Sequence, residues 1–566
     1  MPTELDKTLD AIMDTLTAPD APAETVPTTR GGVEMPMLKN APPSLVHYFA
    51  HYCAEHSDAC FLVDGDVRLT FGETWVAARH VAAGLVAEHG VNRGDRVGIA
   101  ARNSANWIVA YMGVLIAGGC ATLLNGFSSG EELADQIELV GCKLLLADAQ
   151  RAKRLDGQNH DAKIVLFEHN VSPADGLAAF WGAPETVTLP EVGPEDPATI
   201  LYTSGSTGKS KGAWSDHRGV VHGALNYAMQ SLMAFTYLDS SEGGAPTTQA
   251  CALVAVPLFH VTGEVPVFLQ SLALGRKLVL MPKWDALEAL KLMDKEKVSY
   301  FAGVPLMSYE IATHPDRKNY DISSCSGFAA GGAPRPVEHV NKIRDAFPDG
   351  FPLLGYGLTE TNGVGCANFN ENYLAKPSST GRASRPLVDL AILDDSGKPV
   401  PQGQVGEICI RSVCNFIGYW DNDDATRAAY TDDMYFRTGD LGRLDEDDYV
   451  YIVDRKKDII IRGGENITCI EVEEAIYAHD AIAECSVFGI PDDRMGEVPA
   501  AVFYLKPGHG ISPEDLREFL LASIAPFKVP LEEHIWQSDK PLPRLGTQKI
   551  DKRTVRRTYV GNPVSA

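Results

Sequence analysis

The order of apolar runs along these 566 residues predicts an α/β protein, multidomain in the α+β sense. It has a large N-terminal lobe of two stacked, mostly parallel sheets with a small β subdomain, and then a small α+β unit. Three observations carry this. Short apolar strands alternate with helical patterns through the first half, which implies parallel pairing with helical crossovers. The length suits roughly three to four domain-sized units, enough for a cleft between lobes. A charged run, Asp454-Arg-Lys-Lys-Asp458, interrupts two apolar strand patterns at 449–453 and 459–461 and marks a boundary.

Residues 1–44 stand apart. Leu5, Leu9, Ile12, Met13 and Leu16 recur at helical spacing, an apolar stripe that must dock on the body or on a second subunit, so a homodimer is one arrangement it allows. Residues 18–44, with Pro19, Pro22, Pro27, Pro36, Pro42 and Pro43, read as an extended tether. The body, 45–453, opens with a strand at 67–70 and a helix whose start carries Thr70 and Glu73 in capping-box spacing. A strand at 96–100 follows the Asn92-Arg-Gly-Asp95 turn. Further buried strands are expected at 142–147, 163–167, 250–256 and 277–281, and a β-rich piece at 381–411. Residues 454–458 form a hinge. The C-terminal unit, 459–566, has a helix at 471–477, strands at 485–490 and 500–505, and a helix opened by Ser512 with Pro513 at its first position.

A formal charge of -25 disfavours non-specific binding to nucleic acid or anionic membrane, both of which require basic surface. Any anionic substrate must meet local positive charge. Eleven cysteines include no C-x-x-C pair, so neither a zinc site nor a redox motif is indicated. No apolar run reaches the roughly 18 residues of a membrane span, and the acidic N-terminus lacks the basic region of a signal peptide. A cytoplasmic enzyme with reduced thiols is expected.

The chemistry concentrates in Tyr202–Gly212, YTSGSTGKSKG. Glycines let backbone N–H groups approach phosphates, hydroxyls add donors, and Lys209 and Lys211 add charge. The spacing is not that of a P-loop, and on local grounds the run equally suits a surface linker. Downstream lie Gly355-Tyr-Gly-Leu-Thr-Glu360, Tyr435-Phe-Arg-Thr-Gly-Asp440, Asp454–Asp458, Gly463-Gly-Glu-Asn-Ile467 and Lys549 within PRLGTQKIDKR. In this order the motifs resemble the core motifs of the adenylate-forming superfamily, in particular its acyl-CoA synthetases, over nearly the whole chain.

The resemblance implies an ATP-dependent carboxylic acid–CoA ligase. ATP, Mg²⁺ and an acid form acyl-AMP and pyrophosphate, and CoA thiolate then displaces AMP. A fatty acid is the expected substrate, with an aryl acid, or transfer to a carrier-protein thiol, as alternatives. It assigns Thr203, Ser204, Gly205, Ser206, Thr207, Gly208 and Lys211 to the phosphate loop, in which Ser210 replaces the usual proline. Gly332, Ala333 and Pro334 would lie beside adenine and Tyr356 would stack on it. Thr359 would contact the α-phosphate and Glu360 would ligate Mg²⁺, a hard cation that favours carboxylate oxygen. Asp440 and Arg455 would hold the ribose. Lys457 would be the hinge residue of a mobile C-terminal domain, with Lys456 and Asp458 as solvated charges. His260, in Pro257-Leu-Phe-His260, would orient the carboxylate, and Gly463 and Gly464 would flank the CoA tunnel once the lobe turns. Lys549 would be the lysine of the adenylation step, although Gln548 stands where the family has glycine; Lys552 is its nearest competitor.

Overall fold

The computed structural model describes residues 3–204, 210–242, 248–331, 337–347, 350–545 and 549–561. Two large sheets form the body. One has strand order Gly418–Tyr419, Ser210–Asp216, Pro197–Ser204, Cys120–Leu123, Arg96–Ala100, Leu144–Ala147, Lys163–Leu166. The other runs Arg382–Ala383, Cys366–Asn368, Phe351–Tyr356, Gly327–Gly331, Tyr300–Gly303, Cys251–Val254, Lys277–Leu280, Cys60–Asp64, Val67–Thr70. Both are parallel at their centres; the first is antiparallel at one edge and the second at both. The expected strands at 67–70 and 96–100 fall where the alternation placed them, and the Thr70–Glu73 capping box is formed.

Helices Leu45–Glu55, Phe71–Ala87 and Ala105–Ile116 share one core with residues of both sheets, Phe61, Leu62 and Ala252 from one and Val97, Ile99 and Leu123 from the other. Every residue of Ala105–Ile116 is buried. That accounts for its lack of a polar stripe, since a helix apolar all round belongs inside. The β-rich piece is a four-stranded sheet, Val388–Leu393, Gly406–Ser412, Phe436–Leu444 and Val450–Arg455, and so extends well past 411. Its last strand continues through Arg455, and the chain turns at residues 456–458. The C-terminal unit pairs Ile482–Asp492 with Gly496–Leu505, adds Ile535–Ser538 in parallel, and covers the sheet with Cys469–Tyr477 and Pro513–Ser523.

The expected tether is instead a hairpin, Thr25–Arg30 with Val33–Leu38. Gly31 and Gly32 have φ of 55° and 81°, the two positive values that a tight hairpin turn demands. Pro27 and Pro36 face each other in register, so both missing donors coincide on one rung, as an antiparallel ladder allows between its bonded pairs. Met35 and Leu38 are buried against the four-stranded sheet, and Arg30 pairs with Asp216 at 2.8 Å.

The helix Glu4–Leu16 docks on its own chain, with Leu9 and Met13 against Met233. Its buried Asp6 accepts hydrogen bonds from Tyr449 Oη at 2.9 Å and Asn372 Nδ2 at 3.0 Å, and faces Arg382 at 3.4 Å. Asp6→Ala is expected to strip these partners and cost on the order of 2–3 kcal/mol. A lowered denaturation midpoint checks this, with Asp10→Ala, on the half-exposed side, changing little.

Candidate active site

The carboxyl ends of the central strands of the second sheet, the Ser204–Ser210 end of the first and the small C-terminal unit enclose one cleft of roughly 2080 Å³. Strand ends are where open α/β sheets place ligands, because loops there are free to vary over a fixed scaffold. Thr203, Lys211, His260, Tyr356, Thr359, Glu360, Asp440, Arg455, Lys457 and Lys549 all line it, although they come from elements as far apart as 203 and 549. Gly205–Gly208 and Gly332, Ala333 and Pro334 lie outside the described residues. Ser204 ends its strand in register with Ser210, as Thr203 does with Lys211.

Glu360 sits in the short turn Thr359–Thr361, after the strand Phe351–Tyr356. The turn is held tight by Gly357, where a Cβ would lie 1.9 Å from the Gly363 carbonyl oxygen. The Glu360 carboxylate is buried and accepts from Tyr419 Oη at 2.9 Å. Burial raises its pKa against the opposing hydrogen bonds and the charges of Arg455 and Lys211. Lys211 Nζ stands over the Tyr419 ring at 4.6 Å, so Tyr419 links the phosphate strand to the acid. It lies on a two-residue strand and carries no sequence signal.

Asp440 and Arg455 are register partners on adjacent strands, with Arg455 Nε 3.2 Å from Asp440 Oδ1. Asp440 Oδ2 accepts from Tyr356 Oη at 2.7 Å. Tyr356 therefore fixes the ribose-candidate carboxylate as well as walling the cleft. Lys456, read as solvated, is exposed but paired: its Nζ lies 2.6 Å from Asp395 and 3.7 Å from Glu407. The β subdomain presents both acids at the foot of the turn, a proximity that residue spacing could not reveal. Lys457 is exposed at the edge of the cleft, where partial desolvation and then Arg455 lower its pKa.

Lys549 enters from the other unit. The Leu545 amide donates to its carbonyl at 2.8 Å, closing the loop that carries it. Burial, then the charge of Arg455, pulls its pKa down to about 8, with Asp440 opposing. Lys552 is committed elsewhere, 2.7 Å from Glu473 and donating to the Val487 carbonyl at 3.2 Å. His260 lies near Lys549; burial first and that charge second push it down to about 3. Its Nδ1 accepts from the Thr262 amide at 3.3 Å, which assigns the ring proton to Nε2. Burial and the nearby charge thus favour a neutral His260 ring with its proton on Nε2. Gly463 and Gly464 form a hairpin turn away from the cleft lining. The cysteines are free and none is exposed; among the described residues no group of three or more His, Cys, Asp or Glu could hold a metal ion, and no helix is long and apolar enough to cross a membrane.

Comparison with known proteins agrees with this geometry. The AMP-binding enzyme family matches residues 49–420, and the AMP-binding enzyme C-terminal domain matches 471–549. A long-chain-fatty-acid–CoA ligase of Bacillus subtilis is 34% identical over 520 residues, covering 86% of this chain and 89% of that one. A feruloyl-CoA synthase of Amycolatopsis sp. is 33% identical, with coverages of 88% and 95%. The solved o-succinylbenzoate coenzyme A synthetase of Bacillus subtilis, in complex with ATP and magnesium ion, superposes with a TM-score of 0.77 at 26% identity, covering 90% of this chain and 99% of that one. The match of both family domains, in order and across one cleft, places the chain in the adenylate-forming superfamily of AMP-binding enzymes, as an AMP-forming acyl-CoA synthetase.

Proposed function

We propose that this enzyme is a fatty acid–CoA ligase whose C-terminal lysine drives adenylate formation. The observation that carries the reading is Lys549: a cation brought by the small unit into a cleft of the large one, beside Asp440, Arg455 and His260. A carboxylate attacking the α-phosphorus of ATP brings two anions together, so the main task is to offset negative charge in a preorganised site. Lys549 would stabilise the charge shared by the attacking carboxylate and the α-phosphate. His260 would donate its Nε2–H to the carboxylate, and Thr359 would contact the phosphate. Asp440 would accept the ribose hydroxyls, with Tyr356 and Arg455 holding it in place.

ATP and CoA serve as co-substrates and Mg²⁺ as cofactor. Glu360 suits Mg²⁺: a buried oxygen donor, held by a neutral phenol and in no ion pair with a described residue, gains from a nearby divalent cation. With no larger donor cluster in the described residues, the ion would keep waters and phosphate oxygens as its other ligands. When bound it neutralises phosphate charge. Lys211 and the hydroxyls from Thr203 onward would close over the β- and γ-phosphates.

The C-terminal unit, hinged at Lys457, would then turn and admit CoA, whose thiolate displaces AMP. Val261, Val267, Ala302, Ala329 and Ala330 line the cleft and favour an aliphatic chain. The enzyme would work in the cytoplasm. Acid-dependent exchange of pyrophosphate into ATP, followed by thioester formation on adding CoA, tests the reading. Exchange is expected with fatty acids. Exchange confined to aryl acids, or adenylate that persists in the presence of CoA, would refute it.

A further inference from the structure

The cleft contains a charge that the described protein does not answer. Arg276, just before the strand Lys277–Leu280, is 3% exposed yet lines the cleft. Its guanidinium stands over the Tyr300 ring at 4.7 Å and lies 5.9 Å from that of Phe235. The side-chain oxygens it reaches are neutral, Gln270 Oε1 at 3.4 Å and Ser231 Oγ at 3.5 Å. Both distances exceed the roughly 2.7–2.9 Å of a charge-assisted bond. Gln270 is already tied through Nε2 to Ser231 Oγ at 2.7 Å and to the Tyr227 carbonyl at 2.9 Å. No ion pair joins Arg276 to a described carboxylate, and burial lowers its pKa with only Tyr300 opposing. Among the described residues the other buried arginine, Arg151, has its carboxylate, Asp148, at 3.0 Å. Uncompensated buried charge is costly, and natural cores pair it.

Position gives the charge a meaning. Tyr300, under the guanidinium, begins the strand that ends at Gly303, and both ends of that strand line the cleft. Three residues of strand, at about 3.3 Å each, separate Tyr300, and the guanidinium over it, from Gly303 by about 10 Å along the strand. An acid whose carboxylate waits near Lys549 and whose chain descends along the strand would present its far end to Arg276. Aromatic rings against the guanidinium face leave the in-plane fork for a planar anion, the geometry in which arginine binds carboxylate best.

We propose that Arg276 is a specificity-determining residue that pairs with a second carboxylate at the distal end of the substrate, so that the preferred acids are aliphatic dicarboxylates. The inference rests on the acid–CoA ligase reading and narrows its fatty acid to one carrying a terminal carboxylate.

The test uses the full chain, suberic against octanoic acid and adipic against hexanoic acid, with Arg276→Met as the variant. In pyrophosphate exchange the parent should favour each dicarboxylate in kcat/KM. Methionine, which keeps an unbranched stem, should shift the ratio toward the monocarboxylate on the order of 100-fold. The ligand-free variant should melt no lower than the parent, because an unpaired buried charge has gone. A parent that prefers octanoate, an unchanged ratio, or a variant that melts lower overturns the proposal. Thermal protection by suberate without ATP separates the two readings, since it needs no turnover. Protection of the parent but not of the variant supports Arg276 even if no exchange is seen, a result that would count against the ligase reading alone. Protection of both alike, or of neither, refutes the Arg276 site.

Discussion

Lys549→Ala is expected to slow acyl-adenylate formation on the order of 100- to 1000-fold, the effect of removing one preorganised charge from a developing anion. It should leave CoA attack on presynthesised acyl-AMP close to the parental rate. The two half-reactions separate because the lysine is asked to act only while phosphorus is under attack. Titration provides a second signature. With its pKa held down to about 8 by burial and by Arg455, free-enzyme Lys549 loses its proton as pH rises through that value, so kcat/KM for adenylation should fall on the alkaline side. The alanine variant should lack that limb. Parental speed in the variant would remove the central element of the proposed mechanism, and its Glu473 partner keeps Lys552, the nearest competitor in sequence, from taking over.

Glu360→Gln should lower adenylation by a comparable 100-fold or so and shift the Mg²⁺ concentration for half-maximal rate upward. Glutamine keeps an oxygen for the Tyr419 hydroxyl and removes only the charge, so a folding defect is not expected to mask the result; matched melting curves check this. Because burial raises the Glu360 pKa, the parent should also lose rate as pH falls, starting above the ordinary carboxylate range. That acid limb should vanish in the variant. An unaltered Mg²⁺ requirement would leave Glu360 as a structural acid.

Much of this was legible in the chain because its chemistry is written in short, ordered segments. GYGLTE ends a central strand, the Thr-Gly-Asp triplet lies in the β subdomain, and Lys549 sits on a loop, so each motif has a place that alternating strands and helices could anticipate. What escaped depends on contacts between distant segments. Prolines at 27 and 36 suggested an open tether, yet Gly31-Gly32 turns the chain so that they share a rung. Lys456 looked solvated because Asp395 and Glu407 approach only when the four-stranded sheet folds. Tyr419 and Arg276 have no local pattern; their roles arise from what is packed around them.

Asp440 and Arg455 are rungs of the same ladder, and the turn at 456–458 begins one residue later. On the proposed mechanism, a swing of the C-terminal unit about that turn would pivot one residue from the proposed ribose contacts. Asp440 and Arg455, before the turn, would stay with the large lobe and its AMP, while Lys549, beyond it, would be carried away. One cleft could thus serve two successive reactions without dropping the intermediate between them.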